Sequence, residues 1–257
     1  MARVFVYRPG AIGDTILTLP ALAAIRQRFA GAEIVYAGNS ALRDLLPVDT
    51  FISADDPALL PLFGDPPAPW PGVDAHVIFA RQPLGLPGLQ RDPLKAVEPR
   101  VHVADWLVDG VEPTFQDRTP RLDVPTGNGQ RVVIHPGAGS AGKRWSAERF
   151  AALAHALAMP LAVVRGPADP EFDPACPHEI WHDLPLRELA ARLKGSGLFV
   201  GNDSGISHLA AAVGTPSLAI YTRTDPAVWG IRGPRVRHLR GHVGLEETLA
   251  ACREIRS

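Results

Sequence analysis

Cysteine is nearly absent, which excludes a disulfide scaffold. The 257-residue chain has two, Cys176 and Cys252, far apart and without metal-ligand spacing, a pattern that suits a reducing compartment. Lysine is almost as scarce, with Lys95, Lys143 and Lys194 set against 23 arginines. An excess of charge of one sign is missing too. The formal net charge is −1, from 26 basic and 27 acidic residues, so no global positive field exists to hold a phosphate backbone and nucleic acid is not an expected partner. Long apolar runs are also lacking. The longest, residues 150–164, covers 15 residues and is broken by His155 and Pro160, short of the roughly 18 to 20 that cross a bilayer. The apolar tetrad Val4-Phe5-Val6-Tyr7 runs straight into Arg8, too short for the core of a signal peptide. The expectation is a cytoplasmic protein without a transmembrane segment, with peripheral contact at the inner face of the plasma membrane left open.

What is present is strand, glycine-rich turn and helix, repeated. Val4–Tyr7, Ile34–Tyr36 and His76–Phe79 are short continuous apolar runs in the first half; Val132–Ile134, Leu161–Val164, Leu198–Val200 and Ser217–Tyr221 follow in the second. Such runs alternating with helical stripes signal parallel sheets covered on both faces. Pro20 must kink or restart the first helical segment, which carries Leu22, Ile25 and Phe29 on one face. Ser146 reads as a helix N-cap with Trp145 and Phe150 forming a hydrophobic staple across it. Residues 186–194 and 245–255 read as helices, and Ile206, Leu209, Ala210 and Val213 as a helical stripe closed by Gly214 and Pro216. Ten prolines between Pro57 and Pro99 make that stretch loop rather than core. Residues 113–130 read as a linker, dividing the chain into Rossmann-like α/β domains at 1–127 and 128–257 with a cleft between them.

Four motifs bear on chemistry. Gly137 to Lys143 follows a strand and fits the first seven positions of a phosphate-binding P-loop, but the eighth, where serine or threonine would hold magnesium, is Arg144. Mobile glycine amides with a lysine and an arginine still suit a phosphate, with an exposed solvated turn as the plain alternative. Gly201-Asn202-Asp203-Ser204-Gly205 lies between strand and helix, with Asp203 as the expected cap. The amides of Ser204, Gly205 and Ile206 then form an anion site, and Ser204 and His208 turn away from the apolar stripe toward a cleft or solvent. The plain alternative is a capped helix with a surface histidine. Gly10 to Asp14 lacks the dinucleotide fingerprint; Asp14 sits at the first strand-to-helix turn, as a ligand-facing group or only a cap. His178-Glu179-Ile180-Trp181-His182 matches the HExxH zinc pattern, but Pro174, Pro177 and Pro185 confine it to a short segment that reads as a strand.

Three blocks resemble glycosyltransferase family nine, the family of the ADP-heptose:lipopolysaccharide heptosyltransferases. They are Gly13-Asp14 with Thr18, Pro20 and Leu22; His135-Pro136-Gly137 through Lys143-Arg144-Trp145; and Asn202 through Leu209. Thr224-Asp225-Pro226 and Trp229-Gly230 complete the order. The resemblance implies a GT-B fold: α/β, two Rossmann-like domains with parallel sheets facing a central cleft, the acceptor domain N-terminal and the nucleotide-sugar domain C-terminal. It implies metal-independent inverting transfer of a heptose-like sugar from a nucleoside diphosphate, ADP-linked, to a cell-surface glycan or lipopolysaccharide core, with no cofactor. By the same resemblance Asp14 is the catalytic base, and Arg8 and Gly13 lie on the acceptor. Gly139, Ser140, Lys143, Arg144, Asp203, Ser204, Gly205, Ile206 and His208 hold the donor diphosphate and sugar. Two departures stand out: Thr222-Arg223-Thr224 replaces the usual Gly-Pro-Thr turn, and the N-terminal half is short and proline-rich. They make a non-catalytic sugar-nucleotide-binding protein the alternative reading.

Overall fold

Val4, Phe5 and Val6 have no exposed surface. A strand apolar on both faces needs cover on both, and β1 (Arg3–Arg8) finds it at the centre of a parallel sheet. The computed structural model describes residues 1–256 apart from Pro83, Asn128 and Ala168. It divides into two compact units, Met1–Pro120 and Arg121–Ser257.

In the first unit β1 is followed by α1 (Ile12–Ile16), α2 (Leu19–Arg28), β2 (Glu33–Gly38), β3 (Thr50–Ser53), β4 (Ala75–Ile78), β5 (Leu89–Gln90) and α3 (Val103–Val111). The strand order is β3-β2-β1-β4-β5, every neighbouring pair parallel. Pro20 restarts the helix rather than kinking it. It occupies the first turn of α2, where the missing N–H has no carbonyl to reach in any case. The proline-rich stretch corrects the expectation of peripheral loop. Its backbone is largely irregular, yet Leu59, Leu62 and Leu86 are buried against Phe5, Tyr7, Val35 and Ile78.

The second unit runs β6 (Val132–His135), α4 (Ala147–Leu157), β7 (Leu161–Arg165), β8 (Glu179–His182), α5 (Leu186–Lys194), β9 (Leu198–Asn202), α6 (Gly205–Ala212), β10 (Ser217–Tyr221), α7 (Pro226–Trp229), β11 (Val236–Arg240) and α8 (Leu245–Arg256). Its parallel order is β11-β10-β9-β6-β7-β8. Ser146 caps α4, its Oγ accepting from the Arg149 amide, and Trp145 packs edge-on against Phe150 with centroids 5.0 Å apart. Gly214 follows α6 at φ +89°, the left-handed geometry that stops a helix and favours glycine. The HExxH segment lies largely on edge strand β8. Four residues of extended chain carry its two histidines roughly 13 Å apart, so the one-turn helical spacing of zinc ligands is not formed.

In each sheet the chain builds outward from its first strand in one direction, then crosses to the other side. The crossing makes a switch point at the carboxyl ends of β1 and β4 in the first unit and of β6 and β9 in the second, the place where open α/β sheets hold ligands. The segment 121–127, read above as linker and first-domain end, is pinned to the second unit. The Leu122 amide donates to Ala212 O at 3.0 Å and the Gly127 amide to Ala191 O at 2.8 Å. Leu122 and Val124 are buried. Asn128, where the second domain was expected to begin, lies outside the described residues. Among the described residues no helix is long and apolar enough to cross a membrane.

Candidate functional site

At the switch point of the first unit β1 ends in Arg8, a buried cation. Its Nη1 donates to Phe79 O at 3.3 Å, just beyond β4, and its Nη2 to Asp14 Oδ1 at 3.0 Å. Asp14 is the third residue of α1. Ala11, the residue in the capping position, has no side-chain acceptor, and Asp14 Oδ2 reaches back to accept from the Ala11 amide at 3.1 Å. The carboxylate is thus both cap and ion-pair partner while keeping 34% of its side chain exposed. Gly13, beside it, is buried. A Cβ on Gly10 would stand 2.9 Å from Asp14 Cβ, so that glycine gives the turn its room.

In the second unit His135 and Asn202 end the adjacent strands β6 and β9. Asn202 is fully buried; its Nδ2 donates to Pro136 O and its Oδ1 accepts from the Trp145 amide, both at 2.8 Å. One side chain therefore ties down both ends of the glycine-rich turn. Between these ties Gly139 and Ser140 are exposed. Lys143 ends a short 3-10 turn and donates from Nζ to Asp203 Oδ2 at 2.8 Å. Arg144 follows, its buried Nε without a hydrogen-bond partner among the described residues. The Thr222-Arg223 turn after β10 meets the same loop. Thr222 Oγ1 donates to Gly142 O at 2.8 Å, and a Cβ on Gly142 would lie 3.1 Å from Arg223 Nε.

The cap of α6 is Ser204, not Asp203. The Asp203 amide still donates to Ile220 O on β10, which keeps that residue on the strand edge and leaves its carboxylate to Lys143. Ser204, in extended geometry, accepts at Oγ from the Ser207 amide. Gly205 and Ile206 occupy the first turn, where amides have no intrahelical carbonyl to reach and the dipole favours an anion. His208 is 5% exposed. It is packed inside rather than turned to solvent, because the helix is covered on nearly all sides.

His135, also buried, joins this group. Its Nδ1 lies 3.1 Å from Ser204 Oγ and its Nε2 3.0 Å from Asp169 Oδ2. Asp169 accepts as well from the Gly166 amide at 2.8 Å. Burial works to raise the Asp169 pKa, but the His135 and Gly166 hydrogen bonds and the nearby Arg144 guanidinium outweigh it and hold the carboxyl below its ordinary value. A Cβ on Gly137 would fall 2.0 Å from Asp169 Oδ1, so glycine there is a steric requirement. Sequence reasoning missed Asp169 and gave Arg223 no role. The available signal was position alone, since both follow the carboxyl end of a strand in a parallel sheet. Among the described residues no group of three or more histidine, cysteine, aspartate or glutamate side chains could hold a metal ion.

Arranged this way, the second unit offers cations, free helix amides and a glycine turn to a phosphate, and the first offers a carboxylate beside a buried arginine. Known proteins resemble this chain in sequence and in fold. The chain is 34% identical over 111 residues to lipopolysaccharide heptosyltransferase 3 of Escherichia coli, 38% of this chain and 33% of that protein. The match thus spans a third of that relative's length. Among solved structures, a glycosyl transferase family 9 protein from Veillonella parvula superposes with a TM-score of 0.78 at 17% identity, covering 99% of this chain and 97% of that one. E. coli heptosyltransferase WaaC with ADP superposes at 0.74 and 17% identity, covering 98% and 99%. These likenesses establish the GT-B fold. The model of glycosyltransferase family 9 (heptosyltransferase) matches residues 110–255, more than half of the chain, and the protein belongs to that family.

Proposed function

We propose that this chain is a metal-independent inverting glycosyltransferase that moves a heptose-like sugar from an ADP-linked donor to a hydroxyl of a lipopolysaccharide core or another cell-surface glycan. The observation that carries the reading is the meeting, at the β6/β9 switch point, of the Lys143–Asp203 pair with the open first turn of α6. The donor diphosphate would lie on the Gly205 and Ile206 amides and take Lys143 as its counter-ion, with Gly139, Ser140, Arg144 and Arg223 beside it. Charge that grows on the leaving diphosphate would then meet donors already in place, the part a metal plays elsewhere. Asp14 would take the acceptor proton as the acceptor oxygen attacks the anomeric carbon from the face opposite the departing ADP. Arg8 would hold that carboxylate in position, with Gly13 at the acceptor. The two unbridged cysteines suit a cytoplasmic setting.

The test is release of ADP from ADP-heptose with and without a lipopolysaccharide-core acceptor, in excess chelator. Acceptor-dependent release that survives chelation is expected. Binding without release would leave a sugar-nucleotide binder, and a strict need for magnesium would overturn the metal-free mechanism. Lys143→Ala should weaken ADP by about 1.5 to 3 kcal/mol, the size of a charge-assisted hydrogen bond, and leave adenosine unchanged. Equal loss of both ligands in a titration would remove Lys143 from the diphosphate.

A further inference from the structure

Asp169 and His135 have no part in the transfer chemistry above, yet they form a connected polar group with Ser204 and the Gly166 amide. Three places in the chain contribute to it: the end of β6, the turn after β7 and the cap of α6. The hydrogens can be assigned one by one. An ionised carboxylate only accepts, so Asp169 takes the hydrogen on His135 Nε2 at 3.0 Å and the Gly166 amide hydrogen at 2.8 Å. In the neutral imidazole Nδ1 is left with a lone pair, and Ser204 must turn its single hydroxyl hydrogen toward it across 3.1 Å. A serine lone pair then accepts from the Ser207 amide that it caps. The Ser207 hydroxyl, its oxygen 3.1 Å from Ser204 Oγ, gives its own hydrogen to Asn202 O, which ties the group to the switch point.

A cap alone does not need this arrangement, because serine caps a helix without a histidine behind it. Asp169 keeps only 15% of its side chain exposed; drawing a carboxylate that far from water is costly, and a site that only needed filling would be served as well by apolar side chains. Here the fold makes room for the carboxylate instead. Gly137 clears the space that Asp169 Oδ1 occupies, since a Cβ would come within 2.0 Å, and Gly166 turns its amide inward.

We infer that Asp169 and His135 are positioning residues for the anion site at the start of α6. Asp169 fixes the imidazole tautomer, and the imidazole fixes the Ser204 hydroxyl and with it the first turn that presents the Gly205 and Ile206 amides. The inference rests on the donor-site reading above and extends it to two residues that act through Ser204.

The experiment uses the full chain labelled with 15N-histidine, together with ADP and adenosine titrations. The parent should show His135 protonated at Nε2 and bare at Nδ1. Asp169→Asn, nearly isosteric, should disturb that tautomer and weaken ADP at least about tenfold, with adenosine unchanged. Ser204→Ala should weaken ADP similarly while leaving the tautomer intact, because Asp169 sets it. In the double variant the two losses should not add, as expected of residues acting as one unit. Unaltered ADP binding in Asp169→Asn would overturn the positioning role, as would additive losses or a tautomer that follows Ser204 instead of Asp169. Equal loss of adenosine would place Asp169 on the nucleoside and overturn it too. A parent that binds neither ligand would instead overturn the donor-site reading and the inference with it.

Discussion

Asp14 commits both carboxylate oxygens before any substrate arrives, one to the Ala11 amide and one to Arg8. Viewed only as a helix cap, asparagine would replace it at little cost. The ion pair changes that forecast. The Arg8 side chain is 7% exposed, and removing its anion leaves a mostly buried cation with carbonyl partners only. Asp14→Asn is therefore expected to cost about 1 to 3 kcal/mol in denaturant unfolding. It should lower acceptor-dependent ADP release at least about a hundredfold, because an amide cannot take the acceptor proton. Donor affinity should hold, since the donor residues belong to the other unit. Release near the parent rate would reduce Asp14 to a structural role. The residues legible from sequence were those whose chemistry is local: a glycine turn with Lys143, and a helix start after Asn202-Asp203. Asp169 was not legible, because the His135 ring that it holds and the Gly137 that makes room for it lie 34 and 32 positions away in the chain. Only the pairing of β6 with β7 brings those elements together.

The same division appears among the elements. The start of α4 could be read because its signals sit within six residues: Trp145 and Phe150 pack across the Ser146 cap. Strands β3, β5 and β11 were not read. β5 is two residues long, and β11 carries Arg237, His238 and Arg240 along an edge where alternation is blurred by charge. Helix α3 had a usable stripe in Val103, Leu107 and Val111, all buried, but it lies between prolines that drew the eye to loop. Trp145 joins local and long-range order. It is 4% exposed, its amide donates to Asn202 Oδ1 and its Nε1 to Val243 O at 3.1 Å, and its ring lies in the main core cluster. Trp145→Ala should cost about 3 to 5 kcal/mol in urea unfolding. Trp145→Phe should cost less, because it keeps the contact with Phe150 and leaves the Val243 carbonyl its bond from Arg149 Nη1 at 2.9 Å. Equal losses in the two variants would show that packing against Phe150 contributes little.

At the scale of the whole molecule the class of fold was open to a reader of the sequence. Uninterrupted apolar strands admit few arrangements other than parallel sheets covered on both faces. Where one unit hands over to the next was harder to see, because residues 121–127 look like a linker by composition and behave as part of a core. Leu122 and Val124 are 5% and 3% exposed, Lys194 Nζ donates to Val124 O at 2.6 Å, and Gly195 comes so close to Gly127 that a Cβ would meet its carbonyl oxygen at 2.1 Å. Burying a leucine and a valine stabilises by about 1.5 to 3 kcal/mol each, an upper range because an unfolded chain already covers some apolar surface. A fragment of residues 121–257 is therefore expected to unfold cooperatively in urea. A fragment of residues 128–257 should unfold at lower urea, with roughly 3 to 6 kcal/mol less stability. Lys194→Met in the longer fragment should lose only a small part of that difference, since it removes one hydrogen bond and a surface ion pair while Leu122 and Val124 stay buried. If the two fragments unfold at the same urea concentration, the segment is a tether after all, and its apolar side chains contribute nothing to the stability of the second unit.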